Sequence, residues 1–237
     1  NTLRYRGVKK EDILYTNDIE SDIDYLVYLK PNAFFEKNYV DDEYLFVTSL
    51  TDYIKATFYY NFVGNEDFFL SYDYYIKGTI TSNYMSDTNK VIKPICVKEY
   101  ILLDHKTGET SNSKINITET LNVDINHYND ILDTINDYLL IPLNSSFDIS
   151  FIIDITGVAN GQRIKREHKM MMSVPLGVRV FDIKVSKSFP NQEIMYKKEP
   201  KSLETSYMIS IIYIVLMIGI IFVTYYYIKK IIYKEKN

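Results

Sequence analysis

The side chains able to do chemistry in this 237-residue chain are three histidines, one cysteine and 31 carboxylates. His105, His127 and His168 lie far apart, each among polar neighbours, and none stands in a ligand spacing such as HExxH. Cys96, in VIKPICVK, cannot close a disulfide alone and has no histidine pattern around it, so it reads as a small packed residue. No GxSxG elbow, P-loop or GxGxxG is present. No catalytic, cofactor-binding or metal-ligating residue is assigned on this basis, and no cofactor is expected.

The carboxylates cluster in two places. Asp41, Asp42 and Glu43 stand where a loop meets a strand, and Asp124, Asp130, Asp133 and Asp137 stand in and near a helical segment. Ca²⁺ takes oxygen ligands of this kind, but no DxDxDG loop arranges them, so solvated acidic surface is the reading adopted. A glycosidase pair is defined by the separation of two carboxyl groups in space, which spacing along the chain does not give. The triplets Asn116-Ile-Thr118 and Asn144-Ser-Ser146 match glycosylation acceptors.

The elements that would position these groups are mostly strands. Ile23, Tyr25, Val27 and Leu29 share one face of a strand that ends at Pro31-Asn32, and a second strand is expected over Glu43 to Leu50. Ile54, Ala56, Phe58, Tyr60 and Phe62 alternate with Lys55, Thr57 and Asn61. Phe68, Leu70, Tyr72, Tyr74, Ile76 and Ile80 alternate beyond the turn Gly64 to Asp67, so these two runs are expected to pair as a long hairpin. A strand through Tyr100 and Leu102, closed by a turn at Asp104 to Gly108, precedes one carrying Ile115, Ile117, Leu121, Val123 and Ile125.

Tyr128, Ile131, Leu132, Ile135 and Leu139 follow the spacing of one amphipathic helix. Phe147, Ile149, Phe151, Ile153 and Ile155 resume the period of two. REHKMMMSVPL and GVRVFDIKVS supply the last two of about nine strands. This pattern predicts a mainly β fold: an antiparallel, immunoglobulin-like β-sandwich with one short helix, a small barrel being the structural alternative. Tyrosine, at 23 copies with no tryptophan, suits half-buried sheet faces.

Residues 207–228 (YMISIIYIVLMIGIIFVTYYYI) carry no charge over 22 positions, enough for a transmembrane helix. Tyr225, Tyr226 and Tyr227 stand where rings favour the headgroup layer, and Lys229, Lys230, Lys234 and Lys236 follow. Lys197, Lys198 and Lys201 lie on the other side of the span, offset by Glu199 and Glu204. The expected topology is a cytoplasmic basic tail at 229–237 and an extracytoplasmic 1–206. Gly219 is the only glycine of the span, so no GxxxG pairing is indicated.

Ahead of the span the chain divides into a polar opening at 1–22, a β-sandwich ectodomain at 23–190 and a juxtamembrane linker at 191–206. Without the tail's four Lys and one Glu, 23 basic and 30 acidic residues remain, a net charge of −7 that argues against a nucleic-acid or anionic-lipid binder. The chain opens on Asn1 with no apolar leader before its polar start, so export implies a hydrophobic segment upstream.

The order IDYLVYLKPNAFF, SLTDYIKATFYYNF, YDYYIKGTI and then a span resembles the bacterial and archaeal family called domain of unknown function 5305. The resemblance covers nearly the whole chain and rests mainly on Tyr25, Tyr28, Leu29, Lys30, Pro31 and Asn32. It implies a β-rich ectodomain between membrane anchors and assigns no activity. The function expected is that of a membrane-anchored, non-catalytic interaction or envelope-assembly module whose partner is a surface or export-complex protein. The alternative is a membrane-anchored enzyme or carbohydrate binder acting on envelope polymers. An interaction module needs an exposed apolar patch or edge strand, whereas an enzyme needs a concave pocket with convergent polar groups.

Overall fold

A computed structural model describes residues 13–85, 91–141, 143–159, 161–196 and 203–234. Residues 1–12 of the expected opening at 1–22, the stretch 197–202 with Lys197, Lys198 and Lys201, and the tail end 235–237 lie outside the described residues. The chain forms two compact units, residues 1–195 and 196–237.

The first unit is a two-sheet antiparallel sandwich. One sheet runs in the order β12 (Gln192–Tyr196), β1 (Ile13–Leu29), β4 (Thr51–Gly64) and β7 (Lys114–Val123), with β2 (Tyr39–Val40) also pairing β1. The other runs β11 (Lys184–Lys187), β9 (Gln162–Leu176), β8 (Leu143–Ala159), β5 (Leu70–Met85) and β6 (Val91–Thr110). A short ladder joins β3 (Phe46–Val47) to β10 (Val180–Phe181). Helix α1 (Ile125–Leu139) connects β7 to β8.

The period of two explains the core. Ile54, Ala56, Phe58, Tyr60 and Phe62 of β4 are all buried, as are Phe147, Ile149, Phe151, Ile153 and Ile155 of β8. The two sets meet between the sheets, with the rings of Phe58 and Phe151 5.6 Å apart. Each buried Ile or Phe among them contributes roughly 1.5–3 kcal/mol. The expected helix also forms, with Tyr128 and Leu132 buried and Asp124 capping its first turn. Tyr28, Tyr39 and Tyr53 pack on one another on the outer face of the first sheet, the rings of Tyr28 and Tyr53 stacking at 4.6 Å.

Several boundaries differ from those the pattern suggests. β4 and β5 do not form a hairpin but lie in opposite sheets, because the donors of their connection are drawn elsewhere. Gly64 N–H donates to Ser113 O, Asn65 N–H donates to Thr16 O, and Ser113 Oγ both accepts from Phe68 N–H and donates to Phe68 O. No turn interrupts β6 at Asp104 to Gly108. The strand continues through register shifts opposite Tyr74 to Lys77, and Gly108 is where the Tyr72 ring comes close, leaving 2.3 Å to the position of a Cβ. A bulged edge strand that also carries Pro94 and Lys93 discourages edge pairing.

The strand expected over Glu43 to Leu50 shrinks to Phe46–Val47, followed by one 3₁₀ turn at Thr48–Leu50. The strand expected from Gly177 divides into β10 and β11. The sheet also reaches into both flanks of the expected ectodomain. β1 begins at Ile13, inside the opening taken as polar, and β12 occupies 192–196 of the expected linker. Asn17 and Ser21 point to the interior beside Tyr15 and Ile19, and these polar inward residues hide the strand's alternation.

The second unit contains one continuous helix, α2 (Leu203–Lys234). Its side chains are described over 211–226, all exposed, a stretch of about 24 Å. Among the described residues no helix is long and apolar enough to cross a membrane.

Candidate functional site

A polar network of a tyrosine, a histidine and a carboxylate lies inside the sandwich. Tyr60 of β4 and His168 of β9 are joined by a hydrogen bond of 2.5 Å from Oη to Nδ1, and His168 Nε2 lies 3.3 Å from Glu193 Oε1 on β12. Arg166 Nε approaches the other oxygen of Glu193 at 3.5 Å. Burial, then the nearby Glu193 and Tyr15, push the Tyr60 hydroxyl far above its ordinary value, so it stays protonated and donates to Nδ1. Nε2 then carries the imidazole proton and donates to Glu193. That hydrogen bond is the main influence holding Glu193 below the usual carboxylate range. Burial opposes it, while the electropositive N–H edge of His168 and the guanidinium of Arg166 add to it.

A tyrosine, an imidazole and a carboxylate in series have the parts of a proton relay, but this one is closed. His168 is 1% exposed and its ring stacks on Phe189 at 4.6 Å. Both ring nitrogens are occupied by side chains of the opposite sheet, so the arrangement clasps the sheets together and offers no lone pair to a substrate. Sequence reasoning missed this group because Tyr60, His168 and Glu193 are distant along the chain. The one signal was an inward-facing tyrosine in an otherwise apolar row on β4.

The histidines do not converge. His105 is exposed on β6, pairs with Asp73 at 2.9 Å and stacks on Tyr75 at 4.1 Å. His127 is exposed at the start of α1 against the ring of Tyr128. Cys96 is half-buried on β6. Among the described residues no group of three His, Cys, Asp or Glu side chains is placed to hold a metal. Asp124 is used by the helix cap, its carboxylate accepting from Asn126 N–H and His127 N–H. Asp130, Asp133 and Asp137 are exposed on α1, as are Asn116 on β7 and Asn144 on β8.

The open surface lies at the end of the sandwich where β1 finishes. There Leu29 N–H donates to Asn38 O and Lys30 N–H donates to Leu50 O, closing a loop over 30–50. Asn32 shapes its tip: its Oδ1 accepts from Phe34 N–H and Phe35 N–H at 3.0 Å, and its Nδ2 donates to Lys30 O at 2.9 Å. This side-chain-stabilised turn holds Phe34 out at 81% exposure, with Leu45 at 67% and Tyr44 also exposed nearby in the loop.

The base of the loop is fixed. Phe46 is buried against Phe181 at 5.4 Å, and Thr48 Oγ1 donates to Val178 O at 2.6 Å. A cleft of about 550 Å³ opens beside it, lined by Val47, Thr48, Asn126, Asp130, Arg179 and Val180 among others. Its walls come from the loop, α1 and the segment leading into β10. The opposite end of the sandwich holds Tyr15, Ala159, Ile164 and, packed against them, Met195. The chain therefore leaves its last strand at one end, and the aromatic loop stands at the other, about 45 Å away along β1.

Comparison with protein-family models, with curated proteins and with solved structures finds no match to this chain.

Proposed function

We propose that this protein is a membrane-anchored, extracytoplasmic β-sandwich that acts without catalysis, presenting the loop at 30–50 to a protein partner on the surface or in an export complex. The observation that carries this reading is the exposed Phe34, held out by the Asn32 turn at the end of the sandwich opposite Met195. Large apolar side chains exposed in one loop suit association, and their hydration is relieved only when something covers them. The clasped His168 and the dispersal of the remaining histidines favour this role over an enzyme acting on envelope polymers.

The anchor is proposed from the 22 uncharged residues at 207–228, which lie within the continuous helix α2. The lysines after it favour a cytoplasmic tail. The sandwich is proposed to be of immunoglobulin type. Strands β1, β4 and β7 take the places of A, B and E, strands β9, β8, β5 and β6 those of G, F, C and C′, and α1 makes the crossing between E and F. Membership of the domain of unknown function 5305 family is proposed on the same terms, its motif residues Tyr25 to Asn32 forming the end of β1 and the start of the loop.

The test is labelling of intact cells that express the full-length protein, using a membrane-impermeant lysine reagent followed by alkaline extraction of membranes. Lysines of 13–196 should react without lysis and the protein should stay with the membrane pellet. Labelling only after lysis, or release by alkali, would overturn the topology.

A further inference from the structure

The chemistry of the partner can be read from the charges of the loop, taking the docking role proposed above as given. Around Phe34, Tyr44 and Leu45 the loop carries Glu36, Asp42 and Glu43, all exposed, with Asp41 half-buried beside them. Helix α1, which walls the cleft, presents Asp130, Asp133 and Asp137 to solvent and contains no lysine or arginine. The loop's two cations, Lys30 and Lys37, do not offset its four carboxylates. Lys30 Nζ donates to Asn126 Oδ1 at 3.3 Å, and Lys37 lies over the ring of Tyr39 at 5.4 Å. Among the described residues Arg179 is the one cation lining the cleft.

The loop therefore combines exposed apolar side chains with exposed carboxylates and is net negative. We propose that it docks a protein surface of opposite design, an apolar patch bordered by lysine and arginine. Two other occupants fit worse. A second copy would bring one acidic loop against another, and like charges facing each other across an interface oppose association. An anionic lipid surface would repel the same loop, although the exposed phenylalanine alone would suit a bilayer. A cationic partner gains from both features: apolar contact supplies the burial, and charge steers the encounter and selects against wrong partners.

The probe is a photo-crosslinking benzoylphenylalanine placed at Phe34 in the full-length chain, in the membranes of its own cells. A second set of cells carries it at Thr57, on the outer face of β4, as a control. The expected result is an adduct with one protein from position 34 and none from position 57, mapping to a peptide that contains lysine or arginine beside apolar residues. In the variant Asp42→Asn/Glu43→Gln/Asp130→Asn the yield should fall about five-fold, and raising salt should weaken the adduct of the unaltered loop more than that of the variant. Thermal unfolding of that variant, unchanged from the parent, shows that the loss is one of docking.

An adduct with one protein whose yield ignores both substitutions and salt would leave the docking role intact and overturn the cationic partner. An adduct of twice the chain's mass, or with lipid, would identify a second copy or the bilayer as the occupant and overturn the proposal. Absence of any adduct from position 34 would overturn the docking role itself.

Discussion

Tyr60 and His168 reach each other across the core, one from each sheet, with 2.5 Å between Oη and Nδ1. Neither could be buried alone without leaving a polar atom unsatisfied, and together with Glu193 they form a polar seam between the two sheets. The chain has one cysteine and so no internal disulfide. The seam supplies what packing alone lacks, because a hydrogen bond accepts only one register between the sheets.

Replacing Tyr60 with Phe keeps the ring against Phe189 and removes the donor to Nδ1. The buried nitrogen is then left without its partner, which costs about 1–3 kcal/mol. A urea titration of the 13–196 region, followed by tyrosine fluorescence, should show a lower midpoint with an unchanged slope. If the double variant Tyr60→Phe/His168→Leu is less stable than the sum of the two single changes, the bond is not the coupling described.

Glu193 links this seam to acidity. Its folded value is depressed, first by the hydrogen bond from His168, below an ordinary 4.5. Its contribution is therefore present in full above the unfolded value and is lost as pH falls through the folded one. Stability should drop on acidification below about pH 4.5, and Glu193→Gln should be less stable at pH 6 yet show a shallower decline. Equal declines in both proteins would remove Glu193 from the acid response.

How much of this could be read beforehand follows from what periodicity encodes. The inward row Ile54 to Phe62 was legible because alternation states which face is buried, and a sheet with one wet face obeys it. Alternation does not state which strand lies alongside. β4 and β5, neighbours in sequence with a turn between them, went to opposite sheets because Ser113 and Thr16 captured the turn's hydrogen bonds. β12 and the start of β1 were hidden by Asn17, Ser21 and Glu193, inward polar residues that interrupt the apolar alternation. Phe34 and Phe35 were visible as residues, but their exposure depends on the Asn32 turn.

Asp124 offers a test of helix α1. Its carboxylate accepts from two backbone donors of the first turn, and Asn126 Nδ2 ties that turn to Thr51 O and Asp52 O at 3.1 Å. Asp124→Ala should cost about 0.5–2 kcal/mol, whereas Asp124→Asn, which keeps an accepting oxygen, should cost much less. Thermal unfolding by circular dichroism separates the two, and equal losses would mean that charge rather than capping holds the helix start.

Gly78 gives the sharpest packing test. A Cβ there would stand 2.2 Å from Phe147 Cζ, and the Phe147 ring is already stacked on Tyr128 of α1 at 3.7 Å. The ring cannot retreat without moving α1. Gly78→Ala should destabilise by about 1–3 kcal/mol through overpacking, and Phe147→Leu placed with it should recover part of that loss. Gly161→Ala is the contrasting case. No atom lies within 4 Å of its Cβ position, but its φ of +78° is left-handed, so a cost of about 1–2 kcal/mol should arise from backbone strain and resist any change at Phe147. If Phe147→Leu relieves both glycine variants equally, the steric assignment at Gly78 is wrong.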